Sequence, residues 1–204
     1  DVLFVGHIGL APVALFLKAL GRVKRYYVIL HGIEAWKKAP FLDRMALKVA
    51  DRLIATTKFT ATECARYNNL PSDLFQITPL CADERKLPQS PTFRLNGGFK
   101  LLCVARQSVS ERLKGFDHVF SAVAALKDEF ADIHLSMIGQ GNDQPRLKSL
   151  AAELGIEAHV TFMGGVSDEE LASAYMDADV FVMPSKKEGF GIVFLEAMRF
   201  GKPC

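Results

Sequence analysis

Short apolar runs alternate along the first half of the chain with longer stretches in which apolar residues recur every three or four positions. The apolar runs predict buried strands, and the longer stretches predict helices that cover them. The predicted strands are residues 1–6, 26–30, 52–55 and 74–78, and the predicted helices are 11–20, 41–50 and 58–67. Regular alternation of strands and helices predicts a parallel α/β sheet.

Residues 79–98 interrupt this alternation, because they contain three prolines and two glycines among few apolar residues. Such a composition is typical of a linker. Beyond it we predict strands at 100–105, 133–138, 159–163 and 178–183, and helices at 115–126, 145–154, 169–176 and from 192, with Ser167 as an N-cap. The predicted fold class is therefore α/β, with two Rossmann-like parallel-sheet domains. They comprise residues 1–80 and 99–204, joined by a linker at 81–98.

Composition excludes several classes of protein. Half of the 204 residues are hydrophobic and 24% are charged, which predicts a folded globular protein. The four cysteines are scattered and no histidine cluster has zinc spacing, so we expect neither a disulfide framework nor a structural metal, and we expect a reducing cytoplasm. No apolar run is long enough to span a membrane, and no signal peptide is visible. The chain opens directly on a strand, so we expect its true N-terminus to lie outside this sequence.

The net charge of +2 conceals an asymmetry between the two halves. Residues 1–98 carry 14 Lys and Arg against 8 Asp and Glu, or +6, whereas residues 99–204 carry 11 against 15, or −4. A solvated face is the more common explanation of such a basic half, and the functional alternative is attraction to an anionic membrane surface or a phosphorylated lipid acceptor. Nucleic acid is less favoured as a partner, because no aromatic residues are interleaved with the basic ones.

The last predicted strand and helix are joined by a loop with two glycines and a carboxylate. Gly189 and Gly191 bracket Phe190, and glycines let backbone N–H groups approach a ligand at a helix N-terminus. Glu188 precedes them at the carboxyl end of the strand, and Glu196 lies in the early turns of the helix. Carboxylates accept hydrogen bonds well from sugar hydroxyls. In an open α/β sheet, ligands bind at this edge.

This segment resembles the Glu-(seven residues)-Glu signature of retaining family-4 glycosyltransferases of the GT-B type. The resemblance is carried by Pro184-Ser185, Glu188-Gly189-Phe190-Gly191, Glu196-Ala197-Met198 and Gly201-Lys202-Pro203. Members of that family are two-domain enzymes that move a sugar from a nucleotide donor to an acceptor and retain its anomeric configuration. The resemblance covers nearly the whole chain but only the middle of a family member. It implies an internal fragment in which both domains are incomplete.

Two cations follow the first strand of the second half. Arg106 comes directly after that strand, and Lys114 precedes Gly115 at the predicted start of the next helix. The pair resembles the family's Arg and Lys-Gly, which implies that both grip the donor diphosphate. Fixed cations can stabilise the negative charge of a departing phosphate without a metal. Ala105 stands where the family more often has glycine.

Glycines also follow the next two strands of the second half. Gly139 and Gly141 lack the third glycine of a dinucleotide fingerprint, so by themselves they are a weak signal. Their resemblance to the family's glycine turn implies that they face the nucleotide. Gly164 and Val166 stand where the family holds the base through backbone groups. Backbone contacts leave the identity of the base open.

His31 follows a strand in the first half, and a histidine there is more often structural. The pair that it forms with Gly32 resembles the family's active-site histidine, which implies a hydrogen bond to the transferred sugar. The resemblance further implies that Glu188 binds the sugar hydroxyls and Glu196 the ribose. The predicted catalytic residues are His31, Arg106, Lys114 and Glu188. The predicted donor-binding residues are Gly139, Gly141, Gly164, Val166, Gly189, Phe190, Gly191 and Glu196.

The leading hypothesis is a retaining glycosyltransferase that uses a donor such as a UDP- or GDP-sugar, without cofactor or metal. Its acceptor would be a sugar, a lipid-linked sugar or a polysaccharide, in polysaccharide or glycolipid assembly. The expected location is the cytoplasm, with peripheral membrane contact through the basic half. The alternative is a non-catalytic nucleotide- or sugar-binding module, or an inactive fragment. A glycoside hydrolase using Glu188 and Glu196 is weaker, since Arg106 and Lys114 would have no role.

Overall fold

The computed structural model describes residues 1–82 and 90–204, which group by their internal contacts into two units. Unit 1 comprises residues 1–81 together with 188–191, and unit 2 comprises residues 82–187 together with 192–204. Of the predicted linker at 81–98, residues 83–89 lie outside the described residues. The predicted domain boundaries stay predictions.

Unit 1 is built from four strands that alternate with three helices. Its elements are β1 (Val2–Val5), α1 (Ala11–Ala19), β2 (Arg25–Leu30), α2 (Phe41–Val49), β3 (Arg52–Ala55), α3 (Lys58–Asn68) and β4 (Phe75–Ile77). The strands form one parallel sheet in the order β1-β2-β3-β4. Alternate residues of β2 and β3 are buried beneath the helices, as the apolar pattern predicts.

A buried tyrosine ties β2 to α2 in unit 1. The Tyr26 hydroxyl donates a hydrogen bond of 2.5 Å to the carbonyl oxygen of Ala46. Burial, reinforced by the nearby Asp51 carboxylate, raises the pKa of Tyr26 to about 12, so the hydroxyl remains a donor at neutral pH. Asp51 in turn accepts from the backbone N–H of Tyr26 and from Lys18.

Unit 2 repeats the same alternation. Its elements are β5 (Phe99–Val104), α4 (Phe116–Leu126), β6 (Ile133–Ile138), α5 (Gln144–Glu153), β7 (Val160–Gly164), α6 (Asp168–Asp177), β8 (Val180–Phe181) and α7 (Ile192–Arg199). The strands are parallel and ordered β7-β6-β5-β8, so β6 and β5 are central. Ser167 caps α6 in a capping box with Glu170, which confirms the predicted N-cap. The two parallel sheets confirm the predicted α/β fold class.

Residues 90–98 of the predicted linker pack on unit 2. The backbone N–H and hydroxyl of Thr92 lie within hydrogen-bond distance of the Ser173 hydroxyl, and Arg94 and the backbone N–H of Leu95 donate to Asp177. Burial favours the neutral form of Asp177, but hydrogen bonds from Lys100 and Arg94 outweigh it and hold its pKa below the usual value. This end of the predicted linker is therefore anchored by a buried carboxylate.

Several predicted boundaries differ from the observed ones, and three of these differences have a clear local cause. Lys114 does not open α4: it ends a 3₁₀ stretch, Val109–Lys114, and Gly115 in the left-handed conformation separates the two. The predicted strand 178–183 pairs as a ladder only at Val180–Phe181, because Pro184 and the loop after it leave the sheet. His159 belongs to a 3₁₀ turn, Glu157–His159, that precedes β7.

Candidate functional site

The carboxyl ends of the strands in unit 2 bring several predicted site residues to one edge. Arg106 follows β5 and points its side chain into solvent, with 80% of it exposed. Its guanidinium forms an ion pair with Glu111, in the 3₁₀ stretch that follows. An exposed ion pair of this kind contributes little to stability. The Arg106 guanidinium can therefore exchange Glu111 for another anion at small cost.

The glycine turn after β6 lies directly against the chain that carries Arg106. Gly139 has φ of 130°, and a Cβ at this position would meet the carbonyl group of Ala105, 2.8 Å from its carbon. A Cβ at Gly141 would meet the backbone of Gln107 and lie 2.7 Å from the N of Ser108. Only glycine allows this approach. The structure thus brings Gly139 and Gly141 close to the backbone that carries Arg106, while their roles stay predictions.

Lys114 reaches the same edge through Gly115. Gly115 has φ of 82°, and a Cβ on it would meet the backbone of Pro184, whose carbonyl carbon would be 2.9 Å away. Lys186 donates a backbone hydrogen bond of 2.8 Å to the carbonyl of Leu113, which joins the same two segments. Burial raises the pKa of the Cys103 thiol to about 12, and the positive charge of Lys114 opposes this rise.

Sequence reasoning missed the carboxylate that supports the loop between Arg106 and Lys114. Asp143 is buried and accepts hydrogen bonds from Arg146, the shortest of 2.7 Å, and from Arg112. The hydrogen bonds from Arg146 hold the pKa of Asp143 below its usual value. The backbone N–H of Asp143 also donates to the carbonyl of Gln107 at 2.8 Å. A lone aspartate before a helix gives no signal of this network, since its partners are distant in sequence.

Glu196 lies in the fifth position of α7 and is half-buried. The hydroxyl of Tyr175, in α6, donates a hydrogen bond of 2.9 Å to Glu196 Oε2. Glu196 lies in the early turns of the helix, as predicted, whereas its contact with Tyr175 was not predicted. In the sequence, Tyr175 is an aromatic residue within a predicted helix, and such a residue is more often part of the core.

In unit 1, His31 follows β2 and is held in place by three contacts. Its Nε2 lies 2.9 Å from the carbonyl oxygen of Gly6, its backbone N–H donates to Glu34 at 2.6 Å, and Thr56 donates to its carbonyl. A carbonyl can only accept, so Nε2 carries the hydrogen and Nδ1 of the neutral ring is an acceptor. His31 is exposed and its ring can accept a hydrogen bond from a hydroxyl. Glu34, missed by the sequence analysis, fixes this geometry.

The glycine-rich loop 188–191, which belongs to unit 1 by its contacts, touches the backbone around His31. A Cβ on Gly189 would lie 2.6 Å from the carbonyl oxygen of His31, and a Cβ on Gly32 would meet the Cα of Gly189. Gly191 has φ of 81° just before α7 begins. Glu188, Gly189 and Phe190 are half-buried. The structure therefore brings His31 together with the loop that carries Glu188, while their roles stay predictions.

The remaining predicted contacts lie beside β7. Gly139 donates a backbone hydrogen bond of 2.8 Å to the carbonyl of Gly164, which joins the β7 end to the glycine turn. Val166 is half-buried and packs on the core of unit 2. Within residues 1–82 and 90–204, no cluster of three or more His, Cys, Asp or Glu side chains is arranged to hold a metal ion. No helix in the same residues has the length and apolar character needed to cross a membrane.

Comparison with known proteins places these observations in context. Residues 90–204 match the family model of the glycosyl transferases group 1. The chain is 28% identical over 213 aligned positions to a GDP-mannose-dependent alpha-(1-6)-phosphatidylinositol monomannoside mannosyltransferase of Mycobacterium tuberculosis, covering 95% of this chain and 54% of the relative. It is 35% identical over 167 positions to a D-inositol 3-phosphate glycosyltransferase of Pseudarthrobacter chlorophenolicus, covering 76% of this chain and 39% of the relative. The chain thus spans about half or less of these relatives.

Two solved structures share the fold. Anabaena HepE, solved with UDP and glucose, superposes with a TM-score of 0.79 at 19% identity and covers 100% of this chain and 58% of its own. Sucrose-phosphate synthase from Thermosynechococcus elongatus gives a TM-score of 0.78 at 23% identity, covering 99% of this chain and 54% of its own. At such identities the likeness concerns the fold, and it confirms the predicted GT-B fold class.

Proposed function

Because the chain belongs to the family of group 1 glycosyl transferases, we propose that it forms the donor-binding part of an enzyme that moves a sugar from a nucleotide sugar to an acceptor. The observation that carries this proposal is the edge of unit 2. There the glycine turn at Gly139 and Gly141, the exposed guanidinium of Arg106, and Lys114 meet at the carboxyl ends of the strands. Parallel α/β sheets bind ligands at this edge.

This edge suits a diphosphate. Arg106 offers a planar fork of donors that matches phosphate oxygens, and its present partner is the half-buried carboxylate of Glu111. The close approach of two chain segments at Gly139 and Gly141 leaves no side chain between the backbone and a ligand. When the sugar is transferred, charge accumulates on the leaving diphosphate. Two preorganised cations stabilise that charge without a metal ion, so we propose a metal-independent reaction.

The finer assignments follow from the same proposal. Glu188 would accept hydrogen bonds from hydroxyls of the transferred sugar, and Glu196 from those of the ribose. His31, with Nδ1 as its acceptor, would bind a further sugar hydroxyl. We propose that transfer retains the anomeric configuration, as the family resemblance implies, and that the acceptor belongs to polysaccharide or glycolipid assembly. The two curated relatives are named for phosphatidylinositol monomannoside and inositol 3-phosphate, which favours an acceptor that carries phosphate.

Calorimetric titration with GDP, UDP and ADP, with and without magnesium, tests this proposal. We expect one nucleotide to bind with a Kd that magnesium leaves unchanged, because the cations of the site belong to the protein. Affinity that requires magnesium would contradict the metal-independent mechanism. A folded sample that binds none of the three nucleotides would contradict the donor site in this chain.

We further propose that unit 1 associates with anionic membranes through the outer surface of α1 and α2. These helices contact one another and expose large apolar side chains, among them Val13, Phe16, Leu20, Phe41 and Leu42. Basic residues of the same region accompany them: Arg22, Lys24, Arg25, Lys37, Lys38, Arg44 and Lys48. Apolar side chains that enter the lipid interface and cations that attract anionic headgroups are the two requirements for peripheral binding.

Vesicle co-sedimentation tests this surface. Phosphatidylglycerol vesicles are expected to bind the chain, phosphatidylcholine vesicles much less, and added salt should weaken binding because it screens the charges. Phe16→Ser should reduce vesicle binding several-fold, because the variant no longer buries an aromatic side chain in the lipid interface. Phe59→Ser on α3, which removes a similarly exposed phenylalanine (58% against 63%), is the matched control and should bind as the wild type does. Equal binding of the two variants would contradict the assigned surface.

A further inference from the structure

Glu196 is connected to the core of unit 2 through one aromatic residue. Tyr175 is buried, and its ring is stacked on Phe200 with ring centroids 5.6 Å apart and tilted against Phe181 at 6.0 Å. These two contacts fix the plane of the ring and therefore the direction of its hydroxyl. The hydroxyl lies 2.9 Å from Glu196 Oε2 and 3.4 Å from the carbonyl oxygen of Val193.

The phenol has a single hydrogen to donate, and the shorter contact receives it. A carboxylate is also the stronger acceptor of the two, because it carries a charge. Burial, reinforced by the Glu196 carboxylate, raises the pKa of Tyr175, so the hydroxyl stays protonated and remains a donor at neutral pH. Tyr175 thus holds one oxygen of Glu196 through a hydrogen bond that it donates.

The hydrogen bond from Tyr175 engages Oε2 of Glu196 and does not engage the second carboxylate oxygen, Oε1. The residue is only half-buried, so its carboxylate is accessible from solvent. A glutamate side chain has three rotatable bonds, so an unanchored carboxylate at this position would sample many orientations. Anchoring Oε2 from within the core reduces that freedom and leaves Oε1, together with free lone pairs on Oε2, for an incoming pair of hydroxyls.

We propose that Tyr175 is a positioning residue: its hydroxyl orients the Glu196 carboxylate to accept hydrogen bonds from the ribose diol of the nucleotide donor. The inference rests on the proposed function, which supplies the nucleotide and the contact of Glu196 with its ribose. It adds that the affinity of this contact depends on a residue that does not touch the ligand. The dependence should appear only for ligands that carry the ribose hydroxyls.

Tyr175→Phe removes the hydroxyl and keeps the stacked ring. Calorimetry with GDP and UDP, and with their 2′,3′-dideoxy forms, measures the consequence. The variant is expected to bind the ribonucleotide roughly 3- to 10-fold more weakly, about the net contribution of one hydrogen bond, and the dideoxy form within about twofold of the wild type. Glu196→Gln should show the same selectivity. In the double variant, the total loss of affinity should be smaller than the sum of the two single losses, because both substitutions act on one contact.

Tyr26→Phe is the matched control, since it removes the buried hydrogen bond to Ala46 in unit 1 and leaves Glu196 untouched. It should lower the melting temperature but not the affinity for either nucleotide. Equal weakening of both nucleotides by Tyr175→Phe would mean a general structural effect and would overturn the inference. Wild-type affinity in Tyr175→Phe alongside weakened binding in Glu196→Gln would overturn it and leave the proposed function standing. A wild-type chain that binds neither GDP nor UDP would overturn both.

Discussion

Arg106→Ala is expected to weaken binding of the nucleoside diphosphate about 10- to 100-fold, as for loss of hydrogen bonds to a charged group, and to slow sugar transfer by roughly 100- to 1,000-fold. The transfer rate should fall further than the affinity, because the charge on the leaving diphosphate is greatest in the transition state. Among the described residues Arg106 forms an ion pair with Glu111 and its side chain is largely exposed, so the melting temperature should change little. Calorimetry and a donor-consumption assay measure the two effects.

Arg66→Ala is the matched control for this substitution. Arg66 is also an exposed arginine that forms an ion pair with a glutamate of its own segment, Glu63, but it lies on α3 of unit 1. Its loss should leave both nucleotide affinity and transfer unchanged. Arg106→Lys tests the geometry, because an ammonium keeps the charge and loses the planar fork, and it should recover only part of the activity. Wild-type turnover in Arg106→Ala would refute the assignment of this residue.

Gly139→Ala is expected to destabilise unit 2 by about 2–4 kcal/mol, because the added methyl group both strains the backbone of residue 139 and overlaps a neighbouring segment. The residue has φ of 130°, which disfavours any side chain, and the added methyl would run into the carbonyl group of Ala105. Neither atom is at the end of a flexible side chain, so the chain that carries Arg106 must shift. Thermal denaturation followed by circular dichroism measures the loss, and nucleotide affinity should fall with it.

Gly155→Ala separates the two costs in the same unit. Gly155 also has positive φ, 62°, but a Cβ there would approach only the flexible end of Lys127, at 3.3 Å. This control should therefore show the conformational cost alone, about 1 kcal/mol. If the two variants melted at the same temperature, the close packing of the glycine turn against Ala105 would not contribute to stability.

Local physical chemistry accounts for the elements that were predicted correctly. Strand β3 was predicted at its observed bounds, since apolar alternation ends there at polar residues. The capping box at Ser167 depends on residues only three apart, so sequence alone reveals it. The family resemblance added the candidate site residues, and the structure places Arg106, Gly139 and Gly141 at one sheet edge.

Other features depend on residues that are distant in sequence. The start of α4 was predicted too early because the left-handed Gly115 that delays it is selected by contact with Pro184, 69 positions later. β8 is shorter than its apolar run because a strand is defined by pairing, and its register with β5 comprises the pairs Leu101–Val180 and Leu102–Phe181. In both cases the local pattern permits more than one outcome, and packing selects among them.

By itself, the sequence determined the class of fold and the alternation of strands and helices, because periodicity is a local property, and its motifs supplied the candidate site residues through the family resemblance. Only the tertiary structure decided which side chains support those residues. Glu34 holds the backbone at His31, Asp143 holds the loop between Arg106 and Lys114, and Tyr175 holds Glu196. Hydrogen bonds of this kind depend on distance and direction in space, and the spacing of Tyr175 and Glu196 along the chain carries no trace of them.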